Sequence, residues 1–340
     1  MKKVYNLGIL GCGDFLRWEQ GAIQNSERVR VAALHDPFTE RAEQYAGILG
    51  GQAVDSGDAI LEDDEIDIVC LFVPPWVRRE LVLLAAEAGK HVITTKPLAV
   101  TLGDANDMLA AVNRSPVQCG VLYRRLGMAE IGTLKAVFTA GEIGGLGLYK
   151  HDWFHHYPTW NEWATDPDRN GGPFMDAMIH NLNIARYLAA GEACAVTFFS
   201  DTHSHRDLRC SDTEAMKVDF TCGAAAYLFI TWAADLEVFS NQGNDREHLD
   251  FLQIISDRGW WITFERAEGK PVVKAVRDGV PRTWPVQPGG SYYDAFVEAL
   301  ERGEPVSWDI EDAWKDLKII HEAANHVGVR CELDLTPPGR

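Results

Sequence analysis

The chain lacks any run of about eighteen consecutive apolar residues without charge, the length a membrane-crossing helix needs, so no transmembrane span is expected. Met1-Lys2-Lys3 leads into an apolar stretch too short and too broken by glycine for a signal peptide, which makes the cytoplasm the expected location. Basic residues are scarce: 32 Lys and Arg stand against 50 Asp and Glu, a formal net charge of −18. Nucleic acids and anionic membranes are bound through Lys and Arg, so neither is expected as a partner and a small molecule is. The seven cysteines, at 12, 70, 119, 194, 210, 222 and 331, form no C-x-x-C pair and read as buried thiols of a reducing compartment rather than a disulfide framework. There is no G-x-S-x-G elbow, no Walker-type loop, no repeat, no low-complexity tract and no flexible linker. His151, His155 and His156 lie close in sequence, as do His203 and His205, but no Cys or carboxylate completes a ligand set of usual spacing, and no metal is expected.

What is present is long enough for two domains, each with its own core: 340 residues. The chain is organised around Gly8-Ile9-Leu10-Gly11-Cys12-Gly13-Asp14-Phe15-Leu16, which follows the apolar run from Val4 to Leu10. A buried strand that turns at Gly11 and Gly13 into a helix leaves backbone N–H groups pointing outward, a seat for a pyrophosphate. Gly11 permits the tight turn, and Gly13 lets phosphates approach the backbone; Leu16 stands where a third Gly or Ala is usual. A second apolar run, Val29 to Leu34, ends in His35-Asp36, and an acidic residue roughly 20 to 25 positions after the first glycine is placed to accept hydrogen bonds from an adenosine ribose. Asp36 would repel a 2′-phosphate, so NAD is expected over NADP; Arg41, in the next helix, pulls weakly the other way.

Helices and strands then alternate. Phe38 to Leu49 reads as a helix, Asp67 to Val73 as a central strand stopped by Pro74-Pro75, Trp76 to Ala88 as a helix, and His91 to Thr94 as a strand ending at Thr95-Lys96-Pro97. Helix Leu102 to Val112 and strand Val117 to Tyr123 complete a doubly wound parallel sheet over residues 1–123, with the ligand expected at the carboxyl ends of the strands. Residues 124–340 read as an α+β domain on an open, largely antiparallel sheet: a helix Gly127 to Ala140, a helix opened by Gly171-Gly172-Pro173 and running to about Leu188, β-rich runs from Ala195 to about Val276, and two closing helices.

Three groups of residues carry candidate chemistry. Lys96 leaves a central strand at the ligand face ahead of a proline, where a lysine can hydrogen-bond a substrate hydroxyl or take its proton; an exposed loop lysine is the plainer reading. Asp176 and His180 stand at i, i+4 on one helix, the arrangement in which a carboxylate orients an imidazole as general base; a helix-start Asp and a satisfied core His give the same pattern. Asn183, one turn on, can reach substrate or His180. Trp153, Phe154, Tyr157, Trp160 and Trp163 are interleaved with His151, His155 and His156, a mixture that suits sugar or cyclitol recognition and equally suits interdomain packing or a dimer contact. Arg124 and Arg125 can hold a carboxylate or phosphate.

With these residues in order, the chain resembles the Gfo/Idh/MocA family of nicotinamide-dependent oxidoreductases over nearly its whole length. The matching pieces are Gly8 to Leu16, Val73-Pro74-Pro75, His91 to Ala99 around Lys96-Pro97, Tyr123-Arg124-Arg125, Gly141-Glu142-Ile143-Gly144, and Gly171 to His180. The resemblance implies a Rossmann domain, a C-terminal domain whose open sheet often makes homo-oligomer contacts, and oxidation of a secondary alcohol of a sugar, sugar derivative or cyclitol, or the reverse. It makes Lys96, Asp176 and His180 the catalytic set, with cofactor contacts from Gly11, Gly13, Asp14, Phe15, Leu16, Asp36, Val73, Pro74, Arg78, Thr95 and Lys96. Substrate contacts fall to Lys96, Arg124, Trp153, His155, His156, Tyr157, Trp163, Asp176, His180 and Asn183. The departures are Thr95 for the family's usual Glu, Val73 for Thr, Arg78 for His, Ala164 for Arg and Asn183 for Asp. Two other classes share the fold: a redox-neutral, NAD-dependent glycosidase, and a non-catalytic NAD- or sugar-sensing protein.

Overall fold

A computed structural model describes residues 3–123, 127–155, 162–233 and 248–338. The chain forms two compact units: Met1–Leu122 with Gly290–Trp314 and Pro337–Arg340, and Tyr123–Gly289 with Lys315–Thr336.

In the first unit, β1 (Tyr5–Leu10), α1 (Asp14–Gln24), β2 (Val29–His35), α2 (Thr39–Leu49), β3 (Gln52–Ala53), α3 (Asp58–Leu61), β4 (Ile68–Leu71), α4 (Pro75–Glu87), β5 (His91–Thr95), α5 (Leu102–Asn113) and β6 (Cys119–Leu122) alternate. Among the described residues the strands form one parallel sheet in the order β3-β2-β1-β4-β5-β6. Order reverses between β1 and β4, so their carboxyl ends flank the crevice where a doubly wound sheet takes its ligand. Every residue of β4 is buried, as a central strand covered by helices on both faces demands. Local chemistry sets the helix starts: Pro75 fills the first position of α4, and the Thr101 side chain accepts from the Asp104 N–H at the head of α5. The chain returns late to this unit. The segment numbered α8 below (Tyr292–Arg302) places Tyr293, Phe296 and Val297 in the same apolar core as Leu7, Ile9, Leu16 and Cys70, a return that the alternating pattern does not announce.

The second unit is a mixed sheet with helices on one face. It contains α6 (Ala129–Thr139), β7 (Leu146–His155), α7 (Ile179–Leu188), β8 (Ala193–Asp201), β9 (Thr213–Phe220), β10 (Ala225–Thr231), β11 (His248–Ser256), β12 (Trp261–Ala267), β13 (Lys270–Arg277) and β14 (Val280–Pro285). After α8 of the first unit come α9 (Ile310–Asn325) and β15 (Cys331–Glu332). Strand order among the described residues is β14-β13-β12-β11-β7-β10-β9-β8-β15, antiparallel throughout except for the parallel pair β7 and β10. Alternation along β7 sorts its residues: Tyr149, His151 and Trp153 are buried, whereas Lys150, Asp152 and Phe154 point to the opposite, more open face. Only Cys12, Cys70 and Cys119 are fully buried, Cys222 is exposed, and all seven thiols are free, which corrects the expectation of uniformly buried thiols.

Candidate functional site

The first unit gathers its expected residues around the β1 carboxyl end. Gly11 sits at φ +96° and donates its N–H to the His35 carbonyl at 2.9 Å. A Cβ there would lie 2.5 Å from the Phe72 carbonyl oxygen, so both conformation and space require glycine. Gly13 is the residue before α1, which has no side-chain cap, and the position its Cβ would take is open for 4 Å. The first N–H groups of α1 are thus left for a ligand, and nothing beyond hydrogen stands on Gly13 to keep a phosphate away. Asp36 closes the loop from the β2 side, its Oδ2 accepting from the Cys12 N–H at 2.8 Å and its Oδ1 from the Phe38 N–H at 2.9 Å. A carboxylate has about four acceptor sites, so the two bonds leave capacity for ribose hydroxyls. Val73 approaches the Gly11 position through Cγ1 at 3.2 Å, and Pro74 leads into α4. These residues fit the adenine-dinucleotide seat the glycine pattern calls for.

Two of the expected contacts are placed differently. Leu16 is fully buried in the apolar core, so its side chain cannot face a cofactor and only its backbone N–H remains on the loop side. Phe15 packs on Phe72 with ring centroids 5.0 Å apart, and Asp14, the first helical residue, pairs with Arg17 at 3.2 Å. Arg78 is 1% exposed and points inward. Its Nη1 donates to the carbonyls of Thr95, Pro97 and Leu98, and its Nη2 to that of Val73 at 2.7 Å. Rather than touching cofactor, Arg78 ties the β4 and β5 carboxyl ends together on either side of Lys96. Thr95 is buried, its hydroxyl donating to the Leu122 carbonyl at 3.4 Å. The Lys96 N–H reaches the same oxygen, also at 3.4 Å. From Val92 to Ala99, Lys96 alone is not buried.

In the second unit, Gly171 and Gly172 turn with positive φ and Pro173 enters the helix, as the sequence predicts, but the helix is not uniform. Phe174–Met178 is a π-helical turn that passes into α7, so Asp176 lies in the π turn and His180 in the α-helix. Such single turns recur at functional sites because they re-aim one side chain against the regular face. Every residue from Gly172 to Ala185 is buried except Asp176 and His180. Asp176 Oδ1 accepts from Asn170 Nδ2 at 3.0 Å, and the same amide nitrogen donates to the Ala164 carbonyl at 2.9 Å. The His180 ring packs at right angles to that of Tyr123, with centroids 6.0 Å apart and 86° between planes, and its Nδ1 is shut off from solvent.

Asn183 departs from the expected substrate contact. It is 1% exposed, and its Nδ2 donates at 2.7 Å to Asp316 of α9, whose other oxygen takes the Arg186 guanidinium at 2.6 Å. The group fixes α7 to α9. Trp153 is 5% exposed and lies nearly parallel to the His151 ring at 6.3 Å, a core position that corrects its assignment to an open pocket wall. Trp163 stands half-buried on the turn Glu162–Thr165. Arg124, His156 and Tyr157 fall outside the described residues, as does the side chain of His155. Sequence reading missed Asn170, Asp316 and Glu214; Glu214 had a signal, being a carboxylate at the inward positions of β9 that Met216, Val218 and Phe220 otherwise fill.

Residues 5–123 match the family model described as "Oxidoreductase family, NAD-binding Rossmann fold", and residues 131–251 match "GFO/IDH/MocA C-terminal domain". The chain belongs to the GFO/IDH/MocA oxidoreductase family. Among curated relatives of the family, Inositol 2-dehydrogenase 1 of Saccharopolyspora erythraea is 28% identical over 90% of this chain and 88% of its own. The scyllo-inositol 2-dehydrogenase (NAD(+)) of Bacillus subtilis (strain 168) is 31% identical over 49% of this chain and 48% of its own. Several curated relatives are matched over about half of their own length. Among solved structures, an aldose-aldose oxidoreductase from Caulobacter crescentus, complexed with glycerol, superposes with a TM-score of 0.83 at 23% identity, covering 97% of this chain and 100% of that one, which establishes the shared fold. No helix among the described residues is long and apolar enough to cross a membrane.

Proposed function

We propose that this GFO/IDH/MocA protein is an NAD-dependent dehydrogenase or ketoreductase of a secondary alcohol in a sugar, sugar derivative or cyclitol. The observation that carries the reading is the exposure pattern of the buried helix: in the stretch from Gly172 to Ala185, solvent reaches only an acid and an imidazole, Asp176 and His180. A core that spends its two openings on titratable side chains suits proton transfer better than packing. NAD, when bound, supplies the hydride acceptor. His180 takes the hydroxyl proton as the carbon loses hydride, Asp176 orients His180, and Lys96 polarises the oxygen. Asp36 favours NAD over NADP because a 2′-phosphate would meet a buried carboxylate already engaged with the loop. The relatives named for inositol dehydrogenation support a polyol substrate.

The test is turnover of purified protein with NAD+ and with NADP+ on free sugars, uronic acids, scyllo-inositol, myo-inositol and anhydro-sugars. Reduced NAD accumulating with at least one of these polyols, and NADP+ poorer, is the expected result; tight NAD+ binding with no redox turnover across the panel would contradict it.

The sheet face away from α6 and α7 exposes Phe199, Tyr227, Phe251 and Trp261 at 52%, 43%, 47% and 44%, with Phe229 and Phe154 packed among them. Large apolar patches of this kind mark association surfaces. The chain forms a homo-oligomer through this face, and Phe251→Asp is expected to reduce the mass measured by light scattering to that of a monomer. A wild-type chain that already elutes as monomer at micromolar concentration would refute the assignment.

A further inference from the structure

Glu214 has no place in the chemistry above, and its surroundings are unusual. It stands on β9 facing inward, in line with Met216, Val218 and Phe220. Its Oε2 accepts from the Phe174 N–H at 2.7 Å, and its Oε1 accepts from the Ser211 hydroxyl at 2.7 Å. Phe174 opens the π turn that holds Asp176, and the Asp176 N–H donates to the Gly172 carbonyl at 2.9 Å. A Cβ on Gly172 would come within 3.4 Å of Glu214 Oε1, so the glycine turn is shaped to the carboxyl group. From these contacts we infer that Glu214 is a positioning residue: its carboxylate anchors the turn that presents Asp176 and His180. The inference rests on the reading of those two residues given under the proposed function.

Among the described residues the neighbouring groups offer Glu214 no cation. The partners facing it across the sheet, Ser200 of β8 and Ile230 of β10, do not titrate. On the loop leading into β9, Cys210 is a thiol pushed up to about 11 by burial, and Asp212 is a carboxylate held at about 2. Burial opposes the charge on Asp212, but N–H bonds from His203, Ser204 and His205 outweigh it. Asp166 also acts on Cys210, and the nearby Arg209 is paired with Asp166 and Asp168. The segment itself carries Asp176. No ion pair among the described residues involves Glu214. Burial therefore pushes its carboxyl group up to about 7, against the two hydrogen bonds that favour the anion. Above that pH the anion accepts a charge-assisted bond from Phe174, and below it the neutral acid holds the turn less firmly. The sign is definite: positioning improves as pH rises through neutrality.

The experiment follows the Phe174 amide directly, in protein labelled with [15N]phenylalanine and assigned by the resonance lost in Phe174→Leu. In wild type this amide is expected to shift with a midpoint near pH 7; in Glu214→Gln, which keeps shape and acceptor but cannot titrate, it stays flat. With the best substrate of the polyol panel, Glu214→Ala is expected to lower kcat about tenfold or more and leave the Kd for NAD+ within about twofold, because misplacement rather than cofactor loss is at fault. Glu214→Gln restores most of kcat and removes the pH limb near neutrality. A Phe174 amide that does not titrate, or titrates equally in Glu214→Gln, overturns the proposal, as does full kcat in Glu214→Ala. Full kcat in His180→Ala instead overturns the reading of the helix, and the amide titration then decides the anchor alone.

Discussion

His180→Ala is expected to lower kcat by about 10²- to 10⁴-fold, the range a positioned general base contributes, while leaving the Kd for NAD+ nearly unchanged. The separation follows from location. His180 belongs to the second unit, on a helix whose other residues from Gly172 to Ala185 are buried apart from Asp176, and the proposed cofactor seat, the glycine loop with Asp36, belongs to the first unit. Truncating a partly exposed ring with one buried nitrogen costs little stability, so a folded, NAD-binding, inactive protein is the expected product. Equal turnover in wild type and variant would remove His180 from the chemistry and leave it a core histidine against Tyr123.

Arg78→Met is the second large effect and acts mainly on stability. The guanidinium donates to four backbone carbonyls, those of Val73, Thr95, Pro97 and Leu98, in a buried position. A carbonyl buried without a donor costs about 1 kcal/mol or more, and the loss is offset in part because the cost of burying a charge is removed as well. The net expectation is about 2 to 4 kcal/mol of lost stability in the first unit, read as a lower urea midpoint. Because two of the four carbonyls belong to Thr95 and Pro97, the residues flanking Lys96, kcat should fall as well, by about tenfold or more. Arg78→Lys keeps the charge but not the fork, and should recover only part of either loss. An Arg78→Met protein of unchanged midpoint and unchanged kcat would show that the carbonyls find other donors.

The parts legible in the sequence were those governed by local rules. Period and punctuation gave the alternating strands and helices of the first unit, and the steric demand on Gly11 is a backbone matter that only glycine satisfies. The proline at the head of the 171–188 helix was readable for the same reason. What stayed hidden depends on tertiary partners. The π turn arises where a Gly-Gly-Pro entry is pinned by Glu214 from a strand far along the chain, which no helical period encodes. Arg78 reads, by the resemblance, as a cofactor contact until the carbonyls at the ends of two neighbouring strands converge on it. Asn183 lies at the right spacing to join His180, and a buried aspartate on α9 claims its amide instead. The return of Tyr293, Phe296 and Val297 to the first core likewise requires knowing where the chain goes after the sheet of the second unit.

The most direct measurement is isotopic. A polyol that turns over is prepared with deuterium on the carbinol carbon, and the nicotinamide and the organic product are analysed together after reaction. One deuterium at nicotinamide C4 of released, reduced NAD is expected for each ketone formed. Product formed with the deuterium returned to carbon and no net reduced NAD, or aglycone released from a labelled glycoside on those terms, would contradict it and make the chemistry redox-neutral.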